Sequence, residues 1–148
     1  MKKLKFLPII FLGLLFILPC GLNGQEKSKE DQKMMEVWMK YATPGEGHKF
    51  LHKFVGKWQV TSKMWEKPGQ EPQTTKGPAV GKMFFGGRYL KMSYKGTMMG
   101  MPFEGVGIHA YDNHLKKHLS IWIDNMGTGI IFNTGAVDKS GQVLTEYA

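Results

Sequence analysis

The densest group of side chains with chemistry of their own is His109, Asp112, His114 and His118, four residues within ten positions. Imidazoles and a carboxylate are zinc ligands, and to act together they must converge at about 2.0–2.2 Å from one point. The surrounding pattern is that of two strands joined by a turn, with His109 and His118 on the strands and His114 at the tip. Convergence is confined to a solvated hairpin end, so no metal site is assigned. Met98, Met99 and Met101, with Met92 and Met126 elsewhere, offer thioethers, which are soft ligands for copper(I). Methionine is also an adaptable packing residue, and the run from Met98 to Pro102 reads better as an apolar lid over a barrel mouth. Glu104, Asp112 and Asp124 contain the makings of an acid and base pair. No nucleophile elbow, paired His-Glu zinc motif or phosphate loop accompanies them, so no catalytic residue and no cofactor is assigned. Asp112 and Asp124 are read as turn formers, each followed by asparagine.

The elements that must position these groups change period once along the chain. Over residues 26–41, Met34, Met35, Val37, Trp38, Met39 and Tyr41 recur near helical spacing among charged residues, which predicts an amphipathic helix. Thr43-Pro44-Gly45 stops it, and a second short helix over 46–54 places Phe50, Leu51 and Phe54 on one side. From Lys57 the apolar residues alternate every second position, in runs separated by glycine, proline, asparagine or aspartate. Strands are predicted over 57–66, 75–85, 88–96, 103–112, 116–124, 129–137 and from 142. Gly86-Gly87, Asp112-Asn113 and the residues from Asp138 to Gly141 suit tight hairpins, so consecutive strands pair with their neighbours. The fold class expected is mainly β: an antiparallel up-and-down meander curled into a lipocalin-like barrel, preceded by one or two short helices. The last strand has barely begun at Ala148, so the barrel is expected to be incomplete there, with an unpaired edge open to self-association or to another chain.

Residues 1–24 have the form of a secretory leader. Lys2, Lys3 and Lys5 precede a thirteen-residue uncharged run, Phe6 to Leu18, and small residues follow at Gly21 and Gly24. A stable membrane span needs about 20 apolar residues, more than this run supplies. Cleavage after Gly24 predicts a periplasmic or secreted protein organised as leader 1–24, helical segment 25–55 and barrel 56–148. The alternative is a lipoprotein anchored through Cys20, although Ile17, Leu18 and Pro19 are a poor approach to an acylated cysteine. Cys20 is the only cysteine, so cleavage after Gly24 leaves none for disulfides or thiolate catalysis. The chain has 20 basic against 12 acidic residues; losing three lysines with the leader leaves 17 against 12, a net +5. Those lysines are spread without a run, which argues against a nucleic-acid track.

Several blocks together resemble one bacterial family. They are Trp38-Met39-Lys40-Tyr41-Ala42-Thr43-Pro44-Gly45-Glu46-Gly47-His48, Gly86-Gly87-Arg88-Tyr89-Leu90, the segment from Tyr94 to Gly105, Tyr111-Asp112-Asn113 and the segment from Trp122 to Gly129. In this order they closely resemble the family called domain of unknown function 1579 (DUF1579), which implies no activity, substrate or catalytic residue. More loosely, Gly56-Lys57-Trp58 is similar to the Gly-x-Trp opening of lipocalins and their calycin relatives, including the haem-binding nitrobindins. That resemblance implies a tryptophan plugging the closed end of a barrel. In lipocalins an arginine of the last strand packs on it, whereas here Arg88, the only arginine, belongs to the third strand.

The core faces follow from alternation. Trp58, Val60 and Met64 share one face of the first strand, Leu90, Met92 and Tyr94 one face of the third, and Leu119, Ile121 and Ile123 one face of the fifth. A barrel of about eight strands is just wide enough to be filled or to hold one small ligand. Tyr94, Tyr111 and Trp122 are the candidate polar handles, giving a candidate ligand-binding set of Trp58, Val60, Met64, Leu90, Met92, Tyr94, Tyr111 and Trp122. The leading expectation is a non-catalytic protein that binds a small, largely apolar molecule. The alternatives are a structural or partner-binding module with an open edge, and a haem or nitric-oxide binder of the nitrobindin kind.

Overall fold

Residues 28–148 are described by a computed structural model. The leader, its cleavage point and Cys20 lie outside the described residues. Helix α1 spans Lys29–Ala42 and starts from a capping box in which the Ser28 side chain accepts the Asp31 amide at 3.1 Å and the Asp31 carboxylate accepts the Ser28 amide at 3.3 Å. Pro44 disfavours helical backbone at the residue before it, and the chain leaves α1 extended at Thr43. Helix α2 spans Glu46–His52. The two helices differ in burial: α2 buries His48, Phe50 and Leu51, whereas α1 buries nothing. The apolar stripe of α1 predicts a helix, and the helix forms, but the stripe stays exposed, and among the described residues only the Tyr41 ring at its end meets another ring, that of His114.

Seven strands follow: β1 Gly56–Met64, β2 Gln73–Phe84, β3 Tyr89–Met98, β4 Met101–Asp112, β5 Lys117–Asp124, β6 Ile131–Val137 and β7 Leu144–Tyr147. Each pairs antiparallel with the next, in the order β1 to β7. The predicted meander is therefore present. β1 and β7 do not pair with each other, so the sheet is a curled half-barrel rather than a closed barrel. The hairpin between β3 and β4 turns on Met99 and Gly100, both at positive φ (51° and 77°), the backbone twist that suits a two-residue connection. Among the described residues no helix is long and apolar enough to cross a membrane.

The hydrophobic core lies between α2 and one end of the concave face. Leu51 and Leu90 are 1% and 2% exposed, and with Phe50 they form its centre, ringed by Phe54, Met83, Met92, Val137 and Leu144. Polar bonds fasten the same segment to both edges of the sheet. The Trp58 indole on β1 donates to the Phe54 carbonyl at 2.9 Å, and the Lys53 ammonium donates to the Gly141 carbonyl, between β6 and β7, at 3.0 Å.

One correction concerns β5. Leu119, Ile121 and Ile123 do not face the core; His118 and Ser120 are buried, Trp122 lines the concave side, and Ile123 is exposed. Alternation favours the face of Leu119, Ile121 and Ile123, because the other parity carries His118 and Ser120, yet it is the mixed face of His118, Ser120 and Trp122 that turns inward. The choice is made by β4, which sets Gly107 opposite Trp122 and thus leaves room for an indole on the inner side.

Removing the plug tests the packing. Leu51→Ala is expected to cost about 2–5 kcal/mol, read as a lower urea midpoint at unchanged slope. A loss below about 1 kcal/mol would show that α2 does not hold the sheet.

Candidate functional site

The inner face of the half-barrel opens on a trough of about 620 Å³. Its sides are β1 and β2, through Val60, Ser62, Met64, Thr75 and Ala79, and β5 with the segment leading to β6, through Trp122, Asp124, Met126 and Ile131. Met92, Tyr94 and Met98 of β3 and Phe103 and His109 of β4 make the floor, and Phe54 closes one end. This volume falls in the range of about 300–1,000 Å³ usual for small-molecule sites.

Glycines decide how the floor is tiled. Gly105 and Gly107 face inward on β4, and a Cβ at Gly105 would run into the Trp122 ring, so that ring rests against the strand backbone. The His109 imidazole lies over Gly107, whose Cβ would come within 2.8 Å of Nε2. Tyr94 lies likewise over Gly96 and Gly77, where Cβ atoms would approach its hydroxyl to 2.6 and 2.9 Å. Phe103 joins these rings: its plane is 19° from that of Trp122, with centroids 6.3 Å apart, and its centroid is 5.8 Å from that of Tyr94.

Polar groups punctuate the apolar lining. The Trp122 indole donates to one Asp124 oxygen at 2.7 Å, and the other oxygen accepts the Met126 amide at 2.9 Å. The Tyr94 hydroxyl is buried and has no hydrogen-bond partner among the described residues. Asp124 is the only Asp, Glu, Lys or Arg among the lining residues.

Behind His109 lies a more polar patch. His118, Gly135 and Glu146 stand opposite one another across β5, β6 and β7, and because Gly135 has no side chain the Glu146 side chain lies over it. His118 Nδ1 and one Glu146 oxygen are buried without a hydrogen-bond partner among the described residues. Asn133 donates to the Ser120 hydroxyl at 3.2 Å, and the His118 ring packs on Phe50 (5.2 Å) and Tyr111 (4.9 Å). Burial pushes the pKa of His109 down against the opposing pull of Glu146. Burial does the same to His118, aided by His109 and His48 and opposed by Glu146. His48 is lowered by burial and then by Arg88 and His52, and its Nδ1 accepts the Gly45 amide at 3.0 Å, a bond that only the neutral ring makes.

The sequence-derived set divides accordingly. Val60, Met64, Met92, Tyr94 and Trp122 line the trough together. Trp58 does not: it sits on the rim, 44% exposed, with its indole tied to Phe54. Leu90 is core beneath α2, and Tyr111 packs between His48 and His118 outside the trough. Of the histidine group, His109 and His118 face inward, His114 meets the Tyr41 ring edge to face at 5.1 Å, and Asp112 accepts the amides of His114 and Leu115 as the expected turn former. Among the described residues no three His, Cys, Asp or Glu side chains are placed to hold a metal ion. Met98 lines the trough while Met99 and Met101 are exposed, so the methionine turn is not a lid. Glu104 pairs with Lys95 at 2.8 Å and does not join Asp124 in lining the trough. Sequence reasoning placed Met98 in a lid rather than in the lining and missed Phe103 and the inner glycines, although a glycine inside a strand often marks the close approach of another group.

The buried histidines set a pH dependence. A base whose pKa is lower in the folded state takes up its proton first in the unfolded chain, so stability falls as pH drops below about 6.5. The urea midpoint is expected to be level from pH 8 to pH 7 and to fall between pH 6.5 and pH 5, with a shallower fall in His118→Leu. A midpoint unchanged down to pH 5 would contradict the buried neutral state.

The model of a family described as a protein of unknown function, DUF1579, matches residues 43–148, from the end of α1 through β7. No curated protein and no solved structure matches the chain. The matched span contains α2, all seven strands and every residue that lines the trough, and the chain belongs to the DUF1579 family.

Proposed function

We propose that this is an exported, non-catalytic protein that binds a small, largely apolar molecule in the concave trough. The observation that carries the reading is the lining itself: fifteen residues around about 620 Å³, with one carboxylate and otherwise mostly methionine, aromatic and aliphatic groups. A concave, mostly apolar lining with few polar groups is the usual form of a small-molecule site. Methionines at four of the positions, Met64, Met92, Met98 and Met126, give walls that reshape around a guest. Export rests on the leader read over residues 1–24.

A second reading, association through a sheet edge, is favoured by the open sides of β1 and β7. Sedimentation of the chain from Gln25 onward separates the two: a monomer at all concentrations excludes edge-to-edge pairing as the main role.

The neutral dye N-phenyl-1-naphthylamine is expected to brighten on adding that chain. Met64→Glu and Ile131→Glu change lining residues that are already partly in water, so folding is retained and dye affinity is expected to fall about tenfold. Ile123→Glu, on the outer face of the same sheet, is the control and is expected to bind as the parent does. Equal loss in all three, or no dye binding by the parent, would overturn the proposal.

A further inference from the structure

We infer that the trough selects flat, conjugated ligands that are uncharged or cationic, and rejects flexible chains and anions. The inference rests on the ligand-binding reading above and goes beyond it to the class of ligand. It starts from the glycines. A strand residue normally stands its side chain up from the sheet, whereas Trp122 and Tyr94 have glycine beside them and lie down across it. Tyr94 is tilted 58° from Phe103, so the flat part of the floor is that of Phe103 and Trp122. The ring planes of Phe103 and Trp122, 19° apart, give adjoining surfaces of similar orientation. A flat guest stacks on such a floor over its whole area, and each aromatic contact is worth about 0.5–1.5 kcal/mol beyond burial. Methionine walls favour the same guest, because a thioether is attracted to an aromatic ring. An acyl chain gains only the burial.

Charge supplies the second half. Asp124 stands at the rim of the aromatic floor, held by the Trp122 indole and the Met126 amide, and no lysine or arginine lines the trough. A carboxylate brought there by a ligand would face Asp124 with no cation in the lining to offset it, since nearby Lys95 is paired with Glu104 at 2.8 Å, while a ligand cation would meet both a carboxylate and aromatic rings. The chain as a whole is basic, so a preference for cations has to come from this local arrangement.

The test compares five probes on the chain from Gln25 onward by titration calorimetry: proflavine (flat cation), phenanthrene (flat, neutral), pyrene-1-carboxylate (flat anion), 1-dodecanol (flexible, neutral) and palmitate (flexible anion). Proflavine and phenanthrene are expected to bind at least about tenfold more tightly than the other three. Asp124→Asn keeps an acceptor for the indole and is expected to weaken proflavine about tenfold while leaving phenanthrene unchanged. Trp122→Leu keeps an apolar side chain but removes the flat face, and is expected to weaken both flat probes and spare dodecanol. Should dodecanol or palmitate bind as tightly as phenanthrene, the flat-ligand inference is overturned while the trough remains a binding site. Should pyrene-1-carboxylate match proflavine, the charge preference is overturned. If none of the five binds and the naphthylamine dye also fails, the binding reading itself is lost.

Discussion

The packing of Leu51 against Leu90 is the contact on which the rest of the molecule depends. A seven-stranded antiparallel sheet twists of its own accord, but it encloses a trough only if something fills the end of its concave face. Helix α2 fills it with Phe50 and Leu51, and the residues just beyond tie it to β1 through Trp58 and to the turn before β7 through Lys53. The curl is thus set by a short helix bridging the first strand and the last turn. The same segment contributes Phe54 to the trough, so the plug and the trough wall are continuous.

On that frame the inner face is divided by chemistry. Toward the open end lie methionines and rings resting on glycine; toward α2 and β7 lie His109, His118, Ser120, Asn133 and Glu146. Buried polar groups without partners lower stability by about 1–3 kcal/mol each, and Tyr94, His118 and Glu146 all carry one such atom. A sheet built only for its own stability would replace them with aliphatic residues. Burial at the same end of the face pushes the pKa of His109 and His118 down.

Much of the architecture is legible in the sequence because alternation and turn residues are local signals. The seven strands, the two helices and the break at Pro44 all fall where those signals place them, and DUF1579 membership follows from blocks that read in order. Two things are not local. The face of β5 depends on its partner, since alternation favours Leu119, Ile121 and Ile123 whereas Gly105 and Gly107 of β4 make room for Trp122 on the other side. The division of the candidate set depends on α2: Leu90 and Tyr111 have the parity of lining residues, but the helix and His48 cover them and leave Met92 and Tyr94 to the trough.

The central claim is that the concave face, and no other surface, receives the guest. The methionines make it directly measurable, because four line the trough and others, Met34, Met35, Met39 and Met99, are exposed elsewhere. In a chain labelled with carbon-13 at the methionine methyls, titration with phenanthrene is expected to shift the resonances of Met64, Met92, Met98 and Met126 and leave those of α1 and Met99 in place. Shifts confined to the α1 methionines, or spread evenly over both sets, would contradict the account.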